Sequence, residues 1–162
     1  TTFENLDLET ASNKQKGNYG EYRADDNLIN NPKLKEVGYD LEQIGGKVPT
    51  SPDDKITKGI DGIYVNKNPN SNIKYVIDES KFNTAQLGKT KKGIKQMSDE
   101  WLREKQGKRI LQAVNGDRRL KDDIIEALNN GAVEKVLSRV GKDGKVTTYR
   151  LNSNGEIIGF WP

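Results

Sequence analysis

Two strand-like segments joined by one short turn constrain the fold of this chain more than any other feature. Residues 59–65 and 73–82 are rich in β-branched and aromatic residues, which strands prefer. The sequence KNPNSN between them, at 67–72, is rich in turn-forming residues. A connection this short favours antiparallel pairing, so the two segments are predicted to form a β-hairpin.

The second strand of this hairpin ends in YVIDESKF and carries charges among its apolar residues. Side chains alternate between the two faces of a strand, so Glu79 and Lys81 are predicted to share the face of Tyr75 and Ile77. A carboxylate and an ammonium on one otherwise apolar face are explained either by a structural ion pair or by a binding site.

The rest of the chain alternates helix-like and strand-like patterns and predicts one mixed α/β domain. A polar linker or tail is expected at 1–16 and a single domain at 17–162. In chain order the predicted elements are a helix at 18–30, a short strand at 39–46, a Pro-rich loop at 47–57, the hairpin, a helix around 94–107 that ends at Gly107, a helix at 116–131 and a terminal β-meander from 133.

Two residue types are missing from the chain, and their absence excludes several kinds of chemistry. The 162 residues include no histidine and no cysteine. Nucleophilic schemes with a Ser–His or Cys–His pair and histidine general bases are therefore excluded. A bound metal must use oxygen ligands, which favours a hard cation such as Mg²⁺ or Mn²⁺. The chain also has no apolar run of about 18 residues, so no membrane span is expected.

Positive charge is concentrated in one part of the sequence. Residues 81–121 contain 12 Lys or Arg and 4 Asp or Glu, whereas the net charge of the whole chain is only +3. A basic stretch near carboxylates suits a polyanionic ligand, although a solvated helix face explains such a run equally well. Gln96 is a candidate contact to substrate or water, with a helix-surface amide as the alternative. The candidate phosphate contacts are Lys89, Lys91, Lys92 and Lys95.

Asp61, at the start of the first hairpin strand, is predicted to lie close to Glu79 and Lys81 at the end of the second. Two carboxylates held a few ångströms apart repel each other unless one is protonated or a cation lies between them. A divalent ion meets that need and also binds phosphate oxygens. Lys81 would then orient or deprotonate a water, or counter the charge on the reacting phosphate. The alternative is a structural ion pair between Glu79 and Lys81 on an edge strand.

The sequences GIDGIYVN and KYVIDESKF resemble the signature of the PD-(D/E)xK nucleases, a family that includes type II restriction endonucleases. Asp61 matches the Asp on the family's second core strand, and Glu79 and Lys81 match the (Asp/Glu)-x-Lys on the third. Ile60 stands where the family name has proline. Glu21, in the sequence YGEYRAD, matches a further Glu that many members carry on the first core helix.

This resemblance implies a restriction-endonuclease-like core, which is a helix, a three-stranded meander, a helix and a further strand, here with an added C-terminal β-hairpin or meander. It implies that Glu21, Asp61 and Glu79 bind a divalent metal, with Mg²⁺ or Mn²⁺ expected first and Zn²⁺ as a further candidate. These three carboxylates and Lys81 would be the catalytic residues of a metal-dependent endonuclease.

The wider run from GEYRADDNLI to KQMSDEWL, within residues 17–110, resembles C-terminal toxin domains of bacterial polymorphic toxins, including contact-dependent growth inhibition effectors. It implies a toxin delivered from the cell surface that acts in the target-cell cytoplasm, with DNA as the first expected substrate and tRNA as the alternative. It also implies a cognate immunity protein, expected to be acidic so that it can cover a basic cleft. In a different class, the same residues fit a non-catalytic nucleic-acid-binding module with a structural ion network.

Five further side chains are assigned from the pattern alone. Asp78 and Ser80 are expected on the opposite face of their strand from the catalytic candidates, in a solvent-facing or supporting role. Trp101 is expected in the hydrophobic core rather than as a stacking platform for bases. Phe160 and Trp161 are expected to pack the last strand against the core.

Overall fold

The computed structural model describes all 162 residues as a mixed α+β fold with four helices and a six-stranded sheet. The mixed α/β class expected from the sequence pattern is thereby confirmed. None of the helices combines the length and the apolarity needed to cross a bilayer. The elements are α1 (Asn13–Asn30), α2 (Pro32–Glu36), β1 (Leu41–Gly45), β2 (Gly62–Asn66), β3 (Tyr75–Phe82), α3 (Asp99–Ala113), α4 (Arg118–Asn129), β4 (Val133–Val140), β5 (Val146–Leu151) and β6 (Ile157–Phe160).

The strands lie in the sheet in the order in which they occur in the chain, from β1 to β6. All neighbouring pairs are antiparallel except β3 and β4, which are parallel. A parallel pair needs a crossover connection, and α3 and α4 provide it. The predicted hairpin is present as β2 and β3, with Gly62 paired to Asp78. β3 is therefore an interior strand, so the edge strand assumed in the alternative interpretation of a structural Glu79–Lys81 ion pair is not what the structure has.

Two hydrophobic clusters cover the two faces of the sheet. One cluster joins β3 to α3 and α4, and it includes Ile77 together with Trp101, so the core role expected for that tryptophan is confirmed. The other cluster joins the opposite face to α1 and α2, and it includes Val76. Because β3 contributes alternate residues to both clusters, six of its residues, from Tyr75 to Ser80, are buried. Strands covered on both faces read as continuous apolar runs, which explains the start of YVIDESKF.

The two aromatic residues at the C-terminus lie in different environments. Trp161 is only 3% exposed and packs against the ring of Tyr39, with 4.8 Å between ring centroids. Phe160 is 73% exposed and stacks on Tyr149 instead. The expectation of core packing is confirmed for Trp161 and wrong for Phe160, because neighbouring residues of an extended chain point to opposite sides.

Helix α1 begins at Asn13, before the predicted start at residue 18. Ser12 caps its N-terminus in a capping box, since its hydroxyl accepts a hydrogen bond from the Gln15 backbone and the Gln15 side chain accepts one from the Ser12 backbone. The predicted linker at 1–16 therefore includes the first turn of a helix. Part of the remaining segment also packs on the domain, because the ring of Phe3 stacks on Tyr22 with 4.3 Å between centroids.

The helix expected around 94–107 differs from the observed one in its start. α3 begins only after Ser98, whose hydroxyl accepts a hydrogen bond from the backbone of Trp101. The backbone is non-helical at 104–107, so the first helical segment of α3 ends at the segment that contains Gly107, as expected, and a second helical segment continues to Ala113. Residues 83–98, which contain Lys89, Lys91, Lys92 and Lys95, form a loop between β3 and α3.

Gly46, which follows β1, allows this strand to pass close to Asp61. Its φ of +84° lies in the left-handed region that favours glycine, and an added Cβ would collide with the backbone carbonyl of Asp61. The Gly46 amide also donates a 2.9 Å hydrogen bond to Ala113 at the end of α3. No other residue type fits here without moving the backbone of Asp61.

We expect Gly46→Ala to lower the free energy of unfolding by about 2 kcal/mol, because the left-handed backbone and the collision with Asp61 both add strain. Chemical denaturation measures this change. The matched control is Gly17→Ala in α1, where an added Cβ meets no atom within 4 Å. This control is expected to raise stability by about 0.5–1 kcal/mol because alanine favours a helix. Equal effects of the two substitutions would contradict the packing described for Gly46.

A candidate active site at the end of the central hairpin

The four residues that match the nuclease signature line one cleft of about 330 Å³. Asp61 lies just before β2 and Glu79 lies on β3, and the pairing of Gly62 with Asp78 brings them opposite each other. Glu21 reaches the same cleft from α1, and Lys81 reaches it from the end of β3. The structure thus brings together three carboxylates and one ammonium that are far apart in the sequence.

The carboxylate of Asp61 is held by the strand opposite to it. Its Oδ2 accepts hydrogen bonds from the Ser80 backbone N–H, at 2.9 Å, and from the Ser80 hydroxyl, at 3.3 Å. These contacts give Ser80 the supporting role that was one of the two expectations for it. Asp78 is 2% exposed and accepts a 2.6 Å hydrogen bond from the hydroxyl of Ser138 on β4. A solvent-facing position is therefore wrong for both residues, because α1 covers this face of the sheet.

Glu79 makes two polar contacts through one of its oxygens and none through the other. Its Oε2 lies 3.7 Å from the Lys81 ammonium and accepts a 3.0 Å hydrogen bond from the Gln96 side chain. Its Oε1 is buried and has no hydrogen-bond partner. Gln96 precedes α3 and does not lie on a helix surface, and its own Oε1 accepts a hydrogen bond from the Gly88 backbone. A buried carboxylate oxygen without a partner is costly, so this site favours a cation or a proton there.

Burial and repulsion from neighbouring carboxylates raise the pKa values of Glu21 and Glu79 in the cleft. For Glu21 the pKa rises to about 10, first because of desolvation and then because of the neighbouring Asp61 and Glu79. For Glu79 the pKa is raised well above its ordinary value by desolvation and by Asp61, although Lys81 opposes the shift. Desolvation also raises the pKa of Asp78 to about 8. Without an added positive charge, the site therefore holds protons at neutral pH.

The donor set of the cleft fits a hard divalent cation. Every candidate ligand is a carboxylate oxygen, which is the ligand type that Mg²⁺ and Mn²⁺ prefer, and the unpartnered Oε1 of Glu79 is available to a cation. As the side chains stand, no group of three Asp, Glu, His or Cys residues is arranged to hold a metal ion. Binding would therefore require small rotations of the side chains of Glu21, Asp61 and Glu79.

The four candidate phosphate-contact lysines lie in the loop that contains Gln96, which lines the cleft. Lys89, Lys91 and Lys92 are exposed, whereas Lys95 is half-buried. The backbones of Lys89 and Lys95 form an antiparallel bridge, which closes a small hairpin next to Gln96. The loop thus connects directly to Glu79, but its lysines project from irregular backbone and not from the basic helix that the sequence pattern suggested.

Two residues of the site were missed by the sequence analysis. Lys58 lines the cleft from the loop between β1 and β2, although it lies outside the basic stretch. Asn18 is 2% exposed and donates two 2.8 Å hydrogen bonds, to the carbonyls of Pro52 and Asp54, so it ties this loop to α1. A single asparagine such as Asn18 gives no indication of its role in the sequence. For Lys58, the glycine beside it in KGIDG was a signal that could have been used.

Comparison with known proteins adds no further identification, because no family model, no curated protein and no solved structure matches the chain.

We expect Glu21→Gln to stabilise the metal-free protein by about 1–3 kcal/mol at pH 8. A carboxyl group whose pKa is raised on folding contributes most to stability below its unfolded value of 4.5. That contribution is lost as the pH rises from 4.5 towards about 10, where the folded group ionises. The amide has no proton to lose, so the pH dependence of stability should become flatter over this range. Thermal unfolding in chelator at several pH values measures both effects.

The matched control for this experiment is Glu36→Gln on the exposed side of α2, which is expected to leave the pH dependence unchanged. If Glu21→Gln behaves like Glu36→Gln, then Glu21 is not held against Asp61 and Glu79 in solution.

Proposed function

We propose that this chain is a metal-dependent endonuclease that hydrolyses phosphodiester bonds in nucleic acid. The observation that carries the proposal is the convergence of Glu21, Asp61, Glu79 and Lys81 on one cleft, with a buried carboxylate oxygen that has no partner. Carboxylates that raise each other's pKa beside a fixed ammonium are typical of functional sites.

We further propose that the core of the domain is restriction-endonuclease-like. That core is expected to contain a helix, a three-stranded meander, a helix and a further strand. The order of α1, β1, β2, β3, α3 and β4 is compatible with it, and the parallel pairing of β3 and β4 around the crossover helices supports the same arrangement. The short helix α2 and the strands β5 and β6 would be additions to this core.

Each residue of the cleft has a role in this proposal. Glu21, Asp61 and Glu79 would bind one or two divalent ions, which supply a Lewis acid for the phosphodiester and a more acidic water. Lys81, whose side chain is 23% exposed, would donate a hydrogen bond to a phosphate oxygen or orient the attacking water. Gln96 would keep the Glu79 carboxylate in position through its 3.0 Å hydrogen bond.

DNA is the proposed substrate, with tRNA as the alternative within the same reaction class. Either polymer would contact the lysines of the loop, and their exposed ammonium groups suit phosphate oxygens. The lysines at 89–95 lie in a loop, which can contact either polymer, and the residues of the cleft do not separate the two polymers.

The biological context is proposed from the resemblance to polymorphic toxin domains. In that context the domain is an effector that acts in the cytoplasm of a target cell, and the producing cell carries an immunity protein. An acidic surface on that partner would complement Lys58 and the lysines of the 83–98 loop, which lie on two sides of the cleft.

A non-catalytic nucleic-acid-binding module is a second candidate, and one observation favours it. Glu79 already has an ion pair with Lys81 and a hydrogen bond from Gln96, and no three carboxylates are arranged as metal ligands. In this case the carboxylates would only shape the fold, and the protein would bind polyanions without cutting them.

Cleavage assays separate these two candidates. We expect the purified protein to cut plasmid DNA or total tRNA with Mg²⁺ or Mn²⁺ and to lose this activity in chelator. Asp61→Asn and Lys81→Met should each lower the cleavage rate by about 10²-fold or more, because each removes a group that acts on the reacting phosphate.

Lys33→Met, on the exposed surface of α2, is the matched control for Lys81→Met and should cut like the wild type. Band shifts without cleavage, in every metal and with both nucleic acids, would leave only the binding module.

Binding of Mn²⁺ should release protons near neutral pH, because Glu21 and Glu79 must ionise before they can act as ligands. Isothermal titration calorimetry measures this release as a dependence of the apparent enthalpy on the ionisation heat of the buffer. Affinity should also rise with pH, and Glu21→Gln should reduce the number of protons released. An enthalpy independent of the buffer would mean that the metal, if it binds, does not use these carboxylates.

A further inference from the structure

A second polar cavity lies directly beside the catalytic cleft. This cavity, the side pocket, has a volume of about 200 Å³ and is lined by residues from the loop before β2 and from the end of α3. Residues 57–59 line both the side pocket and the cleft, so they form the wall between the two. Ile60, which also lines the side pocket, is adjacent in sequence to Asp61. When one phosphate of a polymer lies at Asp61, the neighbouring nucleotide can therefore reach the side pocket.

The polar groups of the side pocket are free to bind a ligand. Lys47 and Lys58 line it and take part in no salt bridge. The side-chain amides of Gln112 and Asn115 also line it and make no hydrogen bond within the chain. Amide side chains carry both donors and acceptors, which is the combination that reads the edges of bases.

Arg109 forms a rigid part of the side-pocket wall. Its Nη1 donates to the Glu104 carboxylate, at 2.7 Å, and to the Trp101 carbonyl, at 2.9 Å. The guanidinium also lies over the Trp101 ring, 4.6 Å from its centroid. These contacts leave Nε and Nη2 free to donate while the group stays fixed in orientation. Such a fixed donor binds an acceptor on a base edge without first losing side-chain freedom.

The size of the side pocket limits what it can hold. Pockets that bind a whole small ligand usually measure about 300–1,000 Å³, so a cavity of about 200 Å³ suits one part of a larger ligand. A single base is a part of that kind, whereas a base pair is about twice as large.

We propose that the side pocket binds one unpaired nucleobase next to the phosphate that is cleaved, with Lys47, Arg109 and Gln112 as its recognition residues. This inference rests on the proposed function, since it needs a phosphodiester in the neighbouring cleft. It narrows the substrate to single-stranded nucleic acid, or to a duplex or tRNA at a position where a base is unpaired. Bases enter enzyme pockets only after they leave the helical stack, so a closed duplex is a poor substrate.

The test uses a short end-labelled DNA strand, the same strand with one base removed to leave an abasic site, and the strand annealed to its complement. Unmodified tRNA is a further arm that distinguishes RNA from DNA. The variant is Lys47→Ala/Gln112→Ala, which leaves Arg109 and its structural contacts in place. The control is Lys142→Ala, an exposed lysine in the turn between β4 and β5. Product ladders give the cleavage rate at each bond, and fluorescence anisotropy in chelator gives binding without cleavage.

If the proposal is correct, wild-type protein cuts the single strand at least about tenfold faster than the duplex, and cuts more slowly beside the abasic site. At bonds next to a normal base, the double variant cuts more slowly than the wild type by about the factor that the abasic site causes. At the abasic site the two proteins cut at the same rate, because the base contact is already missing there. The control variant behaves like the wild type. If neither the abasic site nor the double substitution changes the cleavage rate, the proposed role of the side pocket is wrong, whereas the proposed nuclease activity still holds.

Failure of hydrolysis is distinguishable from failure of the side pocket. If no nucleic acid is cut with any metal, the proposed function fails. The anisotropy measurements then decide whether the side pocket binds a base. Weaker binding by the double variant to the normal strand, with no change for the abasic strand, would preserve the side pocket as a base-binding site. If the wild type and the double variant bind the normal strand and the abasic strand equally well, the side pocket is not a base-binding site.

Discussion

The crowding of three carboxyl groups around one cleft is the constraint on which the rest of this site depends. The register of the β2–β3 hairpin brings Asp61 opposite Glu79, and α1 adds Glu21 from the other side. Such groups repel one another and lose hydration, so the metal-free fold favours protons on Glu21 and Glu79. The hydrophobic clusters on both faces of the sheet supply the stability that offsets this cost. Any cation that replaced those protons would relieve the repulsion, and its binding would then stabilise the fold.

The interior position of β3 strengthens the case against a merely structural ion pair. Opposite charges two residues apart on an exposed edge strand would cost little and would need no function. Here the Glu79 side chain is 6% exposed. The Lys81 ammonium lies 3.7 Å from one oxygen of this carboxylate, and the other oxygen has no hydrogen-bond partner. Burying a charged pair under these conditions costs more than the pair returns unless a proton or a cation is added, so the pair is weak evidence for a stabilising role.

The sequence was sufficient to predict which side chains converge at this site, but not to predict the burial and the element boundaries around it. Alternation along YVIDESKF and the short turn before it correctly predicted that Asp61, Glu79 and Lys81 would converge, because hairpin geometry is local. The burial of Asp78 was missed because it depends on α1 covering the far face and on Ser138, which lies 60 residues further along the chain. The start of α3 was misplaced because Ile94 and Met97 have helical spacing yet lie in a loop that ends at the Ser98 cap. Contacts between distant segments decided both outcomes, and local patterns do not encode them.

Rigid and irregular parts of the fold contribute different kinds of residues to the site. The three carboxylates come from α1, from the end of a strand pair and from an interior strand, and hydrogen bonds from Ser80 and Gln96 fix two of them. Apart from Lys81 on β3, the lysines come from loops, at 47–58 and at 89–95. Chemistry at a phosphate needs ligands placed to within a fraction of an ångström, whereas contact with a flexible polyanion tolerates movement. Asn18 joins the two parts, because its two hydrogen bonds attach the first loop to the helix that carries Glu21. The loop that is anchored in this way leads on to residues 57–59, which line both the cleft and the side pocket.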